Sequence, residues 1–139
     1  MFIPVAAALA ELRRAAADGR LGAVCARQGI ELVVLFGSAV HSQRPGAARD
    51  VDVAVAFRRS GRRDLLGAVE DLAALVPGDH LDVMDLDRAG PVARVEALTK
   101  GEVLLETRRG AFTEREMSAL GEYLETAYLR DALLRELAR

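Results

Sequence analysis

Two short polar segments, each next to an apolar run, carry the chemistry of this sequence. Gly37-Ser38 follows the apolar run 30–36, and Asp50-Val51-Asp52 opens a second apolar run that ends at Phe57. Because side chains alternate along a strand, Asp50 and Asp52 are expected side by side on one face, with Val51 on the other. Two like charges this close repel unless a cation lies between them. The pattern is typical of enzymes that hold Mg²⁺ on carboxylates and substrate phosphates.

The Gly-Ser turn could bind the substrate phosphates at such a site. A glycine lets the backbone approach a phosphate closely, and the serine hydroxyl and amides at a helix start donate to its oxygens. The ordinary alternative is a strand-end turn followed by a helix cap. The order of the two segments favours the functional interpretation, since strands joined by a short helix and loop can bring Gly37-Ser38 next to Asp50.

A third carboxylate is expected from the strand-like run 80–86. Asp82 has the same parity as Met84, whereas Asp85 belongs to the other face and is the rival candidate, otherwise a surface residue at the strand end. Three clustered carboxylates favour bound cations over a network of salt bridges. His80 could deprotonate a nucleophile, and His41 could face substrate phosphates. Isolated histidines are, however, more often structural or exposed.

Arginines near these segments offer further contacts. Arg44 and Arg49 flank the loop before Asp50 and could contact a triphosphate, with solvated loop charge as the alternative. A basic cluster follows the second strand and could bind a polyanion or an acidic partner surface, or be simply solvated. Its members are Arg58, Arg59, Arg62 and Arg63.

The bulk properties set limits on the class of protein. A chain of 139 residues that is 51% hydrophobic is one folded domain's worth. The net charge of −2 gives no general attraction to nucleic acid, so direct nucleic-acid binding is not expected. The lone Cys25 excludes an intrachain disulfide. No apolar run approaches the ~20 residues of a membrane span, and we expect a cytoplasmic protein.

The order of elements predicts an α+β domain with a small mixed β-sheet flanked by helices. We expect N-terminal helices over 1–29, a catalytic core over 30–106 and one long C-terminal helix over 113–139. The helix over 64–75 is expected to bury one apolar face; its members are Leu65, Leu66, Val69, Leu72, Ala73 and Leu75. The C-terminal helix has an apolar stripe that could bind a partner, pack on its own sheet or form a homodimer: Met117, Leu120, Leu124, Tyr128, Leu133, Leu134 and Leu137.

These residues together resemble the minimal nucleotidyltransferases (MNT family) of the nucleotidyltransferase superfamily, over about 30–106. The resemblance implies that Gly37 and Ser38 bind the nucleotide triphosphate, and that Asp50, Asp52 and Asp82 are catalytic ligands of two Mg²⁺ ions. The segment 100–105, Lys-Gly-Glu-Val-Leu-Leu, is similar to the family's final strand. The stretch 39–46 departs from the Ala-Arg-Gly turn usual after Gly-Ser, and Arg49 stands where a serine is common.

The resemblance also implies a partner. MNT proteins often act as antitoxins of HEPN-domain RNase toxins, and some transfer AMP from ATP to a toxin tyrosine. We therefore expect a Mg²⁺-dependent nucleotidyltransferase acting on a HEPN toxin. A non-catalytic antitoxin that neutralises by binding, and a transferase acting on a small molecule such as an aminoglycoside, are the alternatives.

Overall fold

The computed structural model describes residues 2–41 and 49–139 and has the mixed α+β architecture that the sequence predicts. Its strands are β1 (Ile30–Phe36), β2 (Val51–Phe57), β3 (Leu81–Asp85) and β4 (Glu102–Glu106). Its helices are α1 (Val5–Asp18), α2 (Arg20–Gln28), α3 (Ser38–His41), α4 (Leu65–Ala73), α5 (Pro91–Lys100), α6 (Ala111–Glu125) and α7 (Ala127–Leu137). A 3-10 turn at Leu86–Arg88 connects β3 to α5.

The strands form one sheet in the order β3-β2-β1-β4. β1 is antiparallel to both β2 and β4, whereas β2 and β3 are parallel and are joined by the crossover helix α4. In this register Phe36 lies opposite Asp52, and Asp52 lies opposite Asp82. The end of β1 and the starts of β2 and β3 therefore meet at one edge of the sheet.

Helices cover both faces of the sheet. Val33 and Val53 point into a core shared with α1, α2 and α4, whereas Val34 and Ala54 point into a core shared with α5 and α6. β1 is therefore buried on both faces, as its mostly apolar sequence predicts. Each fully buried Val or Leu contributes roughly 1.5–3 kcal/mol to folding. Asp52 has the parity of Ala54, which places it on the α5 face.

A buried ion network joins β1 to α6. Glu31 and Arg115 are 2% and 1% exposed, and the Arg115 Nη1 atom lies 2.6 Å from the Glu31 carboxylate. Arg115 also binds Asp87 through Nε at 3.0 Å, and Arg108 binds Glu31 at 2.8 Å. Burial acts to raise the pKa of Glu31, but hydrogen bonds from Arg108 and Arg115 outweigh it and lower the pKa overall.

Two helical expectations need correction. In α4, Leu72 is buried as expected, but Leu66 is 70% exposed and Ala73 is also exposed, so the apolar face is narrower than the sequence indicates. The C-terminal helical segment begins at Ala111 and divides at Thr126 into α6 and α7. The Thr126 hydroxyl donates to the Glu122 carbonyl oxygen at 2.9 Å, a local bond that competes with the helical pattern.

The apolar stripe of the C-terminal segment does not pack on the sheet. Its side chains are exposed along α6 and α7, and α7 contains no buried residue. We refer to this stripe as the C-terminal apolar surface; its members are Met117, Leu120, Leu124, Tyr128, Leu129, Leu133, Leu134 and Leu137. Packing of this stripe on the domain's own sheet is therefore excluded. Of the three expectations, partner binding and homodimer formation remain.

Candidate active site

The Gly-Ser turn lies directly against Asp52. β1 ends at Phe36, opposite Asp52, and the chain turns at Gly37 with a φ of +80°. A Cβ atom at position 37 would overlap the Oδ2 atom of Asp52 and lie 3.1 Å from its Cγ. Both the left-handed backbone and the close approach therefore require glycine here.

Ser38 begins α3 immediately after this turn and is exposed to solvent. The turn is closed by the Val40 amide, which donates to the Gly37 carbonyl at 3.2 Å. Amides at the start of a helix favour anions, and the adjacent hydroxyl adds a donor. The turn thus offers hydrogen-bond donors next to the Asp52 carboxylate.

Asp82 and Asp50 complete the group of acidic residues. Asp82 lies beside Asp52 in the parallel register of β2 and β3, whose strands are roughly 4.8 Å apart, and has the same parity. Asp50 directly precedes β2 and is exposed. The starts of the two strands are joined by the Val51 amide, which donates to the His80 carbonyl at 2.8 Å.

This edge of the sheet is electrostatically unbalanced. Burial raises the pKa of the half-buried Asp52, and the charges of Asp82 and then Asp50 raise it further. Among the described side chains of residues 2–40 and 49–139, none of these three carboxylates forms an ion pair with an arginine, lysine or histidine. Clustered negative charge of this kind favours the binding of cations.

The donor chemistry fits Mg²⁺, which prefers carboxylate oxygens together with substrate phosphates. Over the described ranges, no three acidic, histidine or cysteine side chains converge on a common point. Asp52 and Asp82 are the neighbouring carboxylates in the strand register, and Asp50 directly precedes β2. That these three residues bind Mg²⁺ stays a prediction.

Other candidates from the sequence lie elsewhere. Asp85 is not a surface residue: it is 7% exposed, forms an ion pair with Arg63 and faces away from Asp82. The His80 ring Nε2 is hydrogen-bonded to the Ile3 carbonyl oxygen at 2.5 Å, which indicates a structural role. Arg49 is exposed. Arg44 and the side chain of His41 fall outside the described residues.

Two supporting residues act through the backbone. Gly101 precedes β4, and a Cβ atom there would lie 3.0 Å from the Leu35 carbonyl oxygen and overlap the Ala97 carbonyl oxygen. This close approach seats β4 against the end of β1 that leads into Gly37. Ile3 was missed by sequence reasoning, because 77 residues separate it from His80 and no local pattern connects them.

Comparison with known protein families identifies the family of this chain. The polymerase beta nucleotidyltransferase family matches residues 21–110, which include all four strands. The chain belongs to this nucleotidyltransferase family. No curated relative matches the chain. Membership of this family makes the chain an enzyme that transfers nucleotides.

Solved structures share the nucleotidyltransferase fold. A chain of a toxin–antitoxin with AMP-PNP is 18% identical with a TM-score of 0.69, over 87% of this chain and 98% of that chain. A chain of the tri-AMPylated Shewanella oneidensis HEPN toxin in complex with MNT antitoxin is 17% identical with a TM-score of 0.67, over 91% and 99%. A chain of the toxin–antitoxin MntA-HepT has 18% identity and a TM-score of 0.65, over 87% and 96%. These similarities confirm the predicted fold class.

No helix in the described part of the nucleotidyltransferase is long and apolar enough to cross a membrane.

Proposed function

We propose that this nucleotidyltransferase transfers AMP from ATP to a tyrosine hydroxyl of a HEPN-domain toxin and thereby acts as its antitoxin. The observation that carries the proposal is the contact of the Gly37 turn with Asp52, with Asp82 in register beside it. Hydrogen-bond donors for the phosphates and carboxylates for the metal ions then share one edge of the sheet, as nucleotidyl transfer requires.

Each residue has a role that follows from its position. The backbone at Gly37 and the Ser38 hydroxyl bind the β- and γ-phosphates of ATP. Asp50, Asp52 and Asp82 would hold the two Mg²⁺ ions. When bound, Mg²⁺ supplies charge neutralisation at the α-phosphate and the departing pyrophosphate and favours ionisation of the acceptor hydroxyl.

The exposed Asp82 carboxylate accepts the proton of the acceptor hydroxyl. A bond forms between the acceptor oxygen and the α-phosphorus, and the bond from that phosphorus to the pyrophosphate oxygen breaks. The products are the acceptor carrying AMP and free pyrophosphate.

The C-terminal apolar surface supports a protein acceptor. Leu124 and Leu133 are 71% and 61% exposed on an α6–α7 segment whose second helix buries nothing against the domain. Apolar area of this kind marks binding sites for other proteins. One solved structure with the same fold is a complex with a tri-AMPylated HEPN toxin, and others are toxin–antitoxin structures. We therefore assign this surface to the HEPN toxin.

The test is transfer of label from α-³²P-ATP in Mg²⁺, with the product of the neighbouring gene as the acceptor. We expect label on a toxin tyrosine and none with Asp52→Asn. Asp79→Asn, a change at an exposed carboxylate three residues before Asp82, serves as the matched control and should retain transfer. Undiminished transfer by folded Asp52→Asn protein would contradict the assignment.

Neutralisation by binding alone is the second candidate, and the C-terminal apolar surface favours it because docking there does not require the carboxylates. A variant with Asp50, Asp52 and Asp82 all changed to Asn separates the two functions. If that variant still binds the toxin but no longer protects cells, catalysis is the antitoxin activity. Full protection by the same variant would favour binding alone.

A further inference from the structure

A polar groove lies at the opposite end of β2 from the carboxylates. Its volume is about 370 Å³, and Phe57, the last residue of β2, lies at its base. Five residues of extended strand separate Phe57 from Asp52, a distance of about 17 Å. The groove is lined by Phe57, Arg58, Arg59, Gly61, Arg63, Asp87, Arg94 and Ser118. It is therefore distinct from the proposed nucleotide-transfer site.

Several guanidinium groups meet in this arginine groove. Arg59 is paired with Glu114 at 3.1 Å, an exposed pair whose mutual neutralisation is weak in water. Asp87, the acid among the lining residues, is already bound by Arg115 at 3.0 Å. Arg58 forms no ion pair with any acid in the described ranges. Arg63 and Arg94 pair with Asp85 and Glu122, so Arg58 is the groove arginine without an acidic partner among the described residues.

Arg94 provides an independent indication of a ligand. It extends from α5, its side chain is 13% exposed, and its outer nitrogen Nη1 binds Glu122. Its Nε atom is buried and has no hydrogen-bond acceptor among the described residues. A buried donor without an acceptor is rare in folded proteins. Because Nε is closed to solvent, an anion would meet Arg94 through the part of its guanidinium that lines the groove, with Ser118 as an additional hydroxyl donor.

We propose that the arginine groove binds a phosphate-bearing anion. Guanidinium groups present planar, paired N–H donors that match phosphate oxygens, and one phosphate can accept from more than one arginine at once. A neighbouring cavity of about 450 Å³ shares Arg58 and Arg59, but it has one further arginine, Arg108, against two acids, whereas the arginine groove has four arginines and one acid. The charge distribution therefore places the phosphate beside Arg94.

The test is calorimetric titration with sodium tripolyphosphate in EDTA at low ionic strength. We expect one equivalent to bind, with affinity reduced about tenfold or more in Arg58→Gln/Arg94→Gln, because each lost arginine removes charge-assisted hydrogen bonds. The control is Arg27→Gln, at an exposed arginine paired with Asp71 on another part of the surface, which should leave binding unchanged. Equal binding by the double variant, or an equal loss in the control, would overturn the proposal.

A second variant guards against a folding defect. Arg58 is exposed in a loop, so Arg58→Gln alone should keep the melting temperature and still bind tripolyphosphate less tightly than the wild type. Unchanged binding in this folded variant would refute the role of Arg58. Asp52→Asn should retain binding, and this result distinguishes failure of the groove from failure of the transfer site.

Competition identifies the source of the phosphate. Displacement of tripolyphosphate by ATP points to a free nucleotide, and displacement by a short unstructured RNA at lower concentration points to a phosphodiester chain; either result supports the proposal. Tighter, Arg58-dependent binding of polyglutamate than of both phosphate ligands would overturn it and assign the groove to an acidic protein surface.

Discussion

Replacement of Gly37 by alanine tests whether the turn and Asp52 act as one unit. The alanine must adopt a left-handed backbone, since φ is +80°, at a cost of ~1–2 kcal/mol. For a chain of this length such a loss lowers the melting temperature by roughly 3–7 °C. The added Cβ atom also displaces the Asp52 carboxylate by about 1 Å to restore ordinary contact.

The displacement of Asp52 should reduce nucleotidyl transfer much more than stability. A misplacement of about 1 Å in a reacting site can lower the rate on the order of 100-fold. Initial rates of AMP transfer from α-³²P-ATP to the toxin, together with thermal unfolding monitored by circular dichroism, measure both effects. The rate loss is expected with the protein still fully folded at the assay temperature.

Gly19→Ala is the matched control. Gly19 also has a positive φ, +95°, but a Cβ atom there has no neighbour within 4 Å. It should therefore lose similar stability from backbone strain while retaining transfer. If Gly37→Ala transfers AMP at the rate of Gly19→Ala, the close approach of Gly37 to Asp52 is irrelevant to catalysis and the reasoning fails.

Three further variants probe the charges and the exposed surface. In EDTA, Asp52→Asn should unfold at a higher temperature than the wild type at neutral pH; because the folded state raises the pKa of Asp52, this advantage should vanish below the ordinary carboxyl pKa of about 3.9. Arg115→Met should lower the free energy of unfolding in urea by ~3–5 kcal/mol, because it removes the buried partner of Glu31; a loss under 1 kcal/mol would contradict that account. Leu124→Asp should weaken toxin binding by about tenfold or more without lowering the melting temperature, whereas Leu66→Asp, at an equally exposed leucine on α4, should bind the toxin normally.

The placement of the acidic residues follows from local patterns in the sequence. The two-residue strand period puts Asp50 and Asp52 on one face, and the parity of Asp82 separates it from Asp85. The structure adds the parallel register that sets Asp82 beside Asp52. Their roles in catalysis stay predictions, which the transfer assay with Asp52→Asn tests.

Residues whose environment depends on distant parts of the chain could not be predicted in this way. Asp85 is buried because Arg63, 22 residues earlier, pairs with it across the fold. Glu31 interrupts an otherwise apolar strand, and its partner Arg115 lies 84 residues away. Leu66 is exposed because α4 contacts the core through a narrower face than its apolar residues suggest. Periodicity shows which side chains share a face, but not what covers that face.

If the toxin covers the C-terminal apolar surface as proposed, the lack of buried residues in α7 ties the lifetime of the protein to that partner. An 11-residue helix with no buried residue has little beyond its own backbone bonds to keep it folded, and isolated helices of that length are marginal in water. Unpaired molecules should therefore open first at this end and become substrates for proteases, whereas toxin docked on the leucines closes that route. The cellular amount of the proposed antitoxin would then be set by the amount of toxin available to cover α7, without any dedicated regulator.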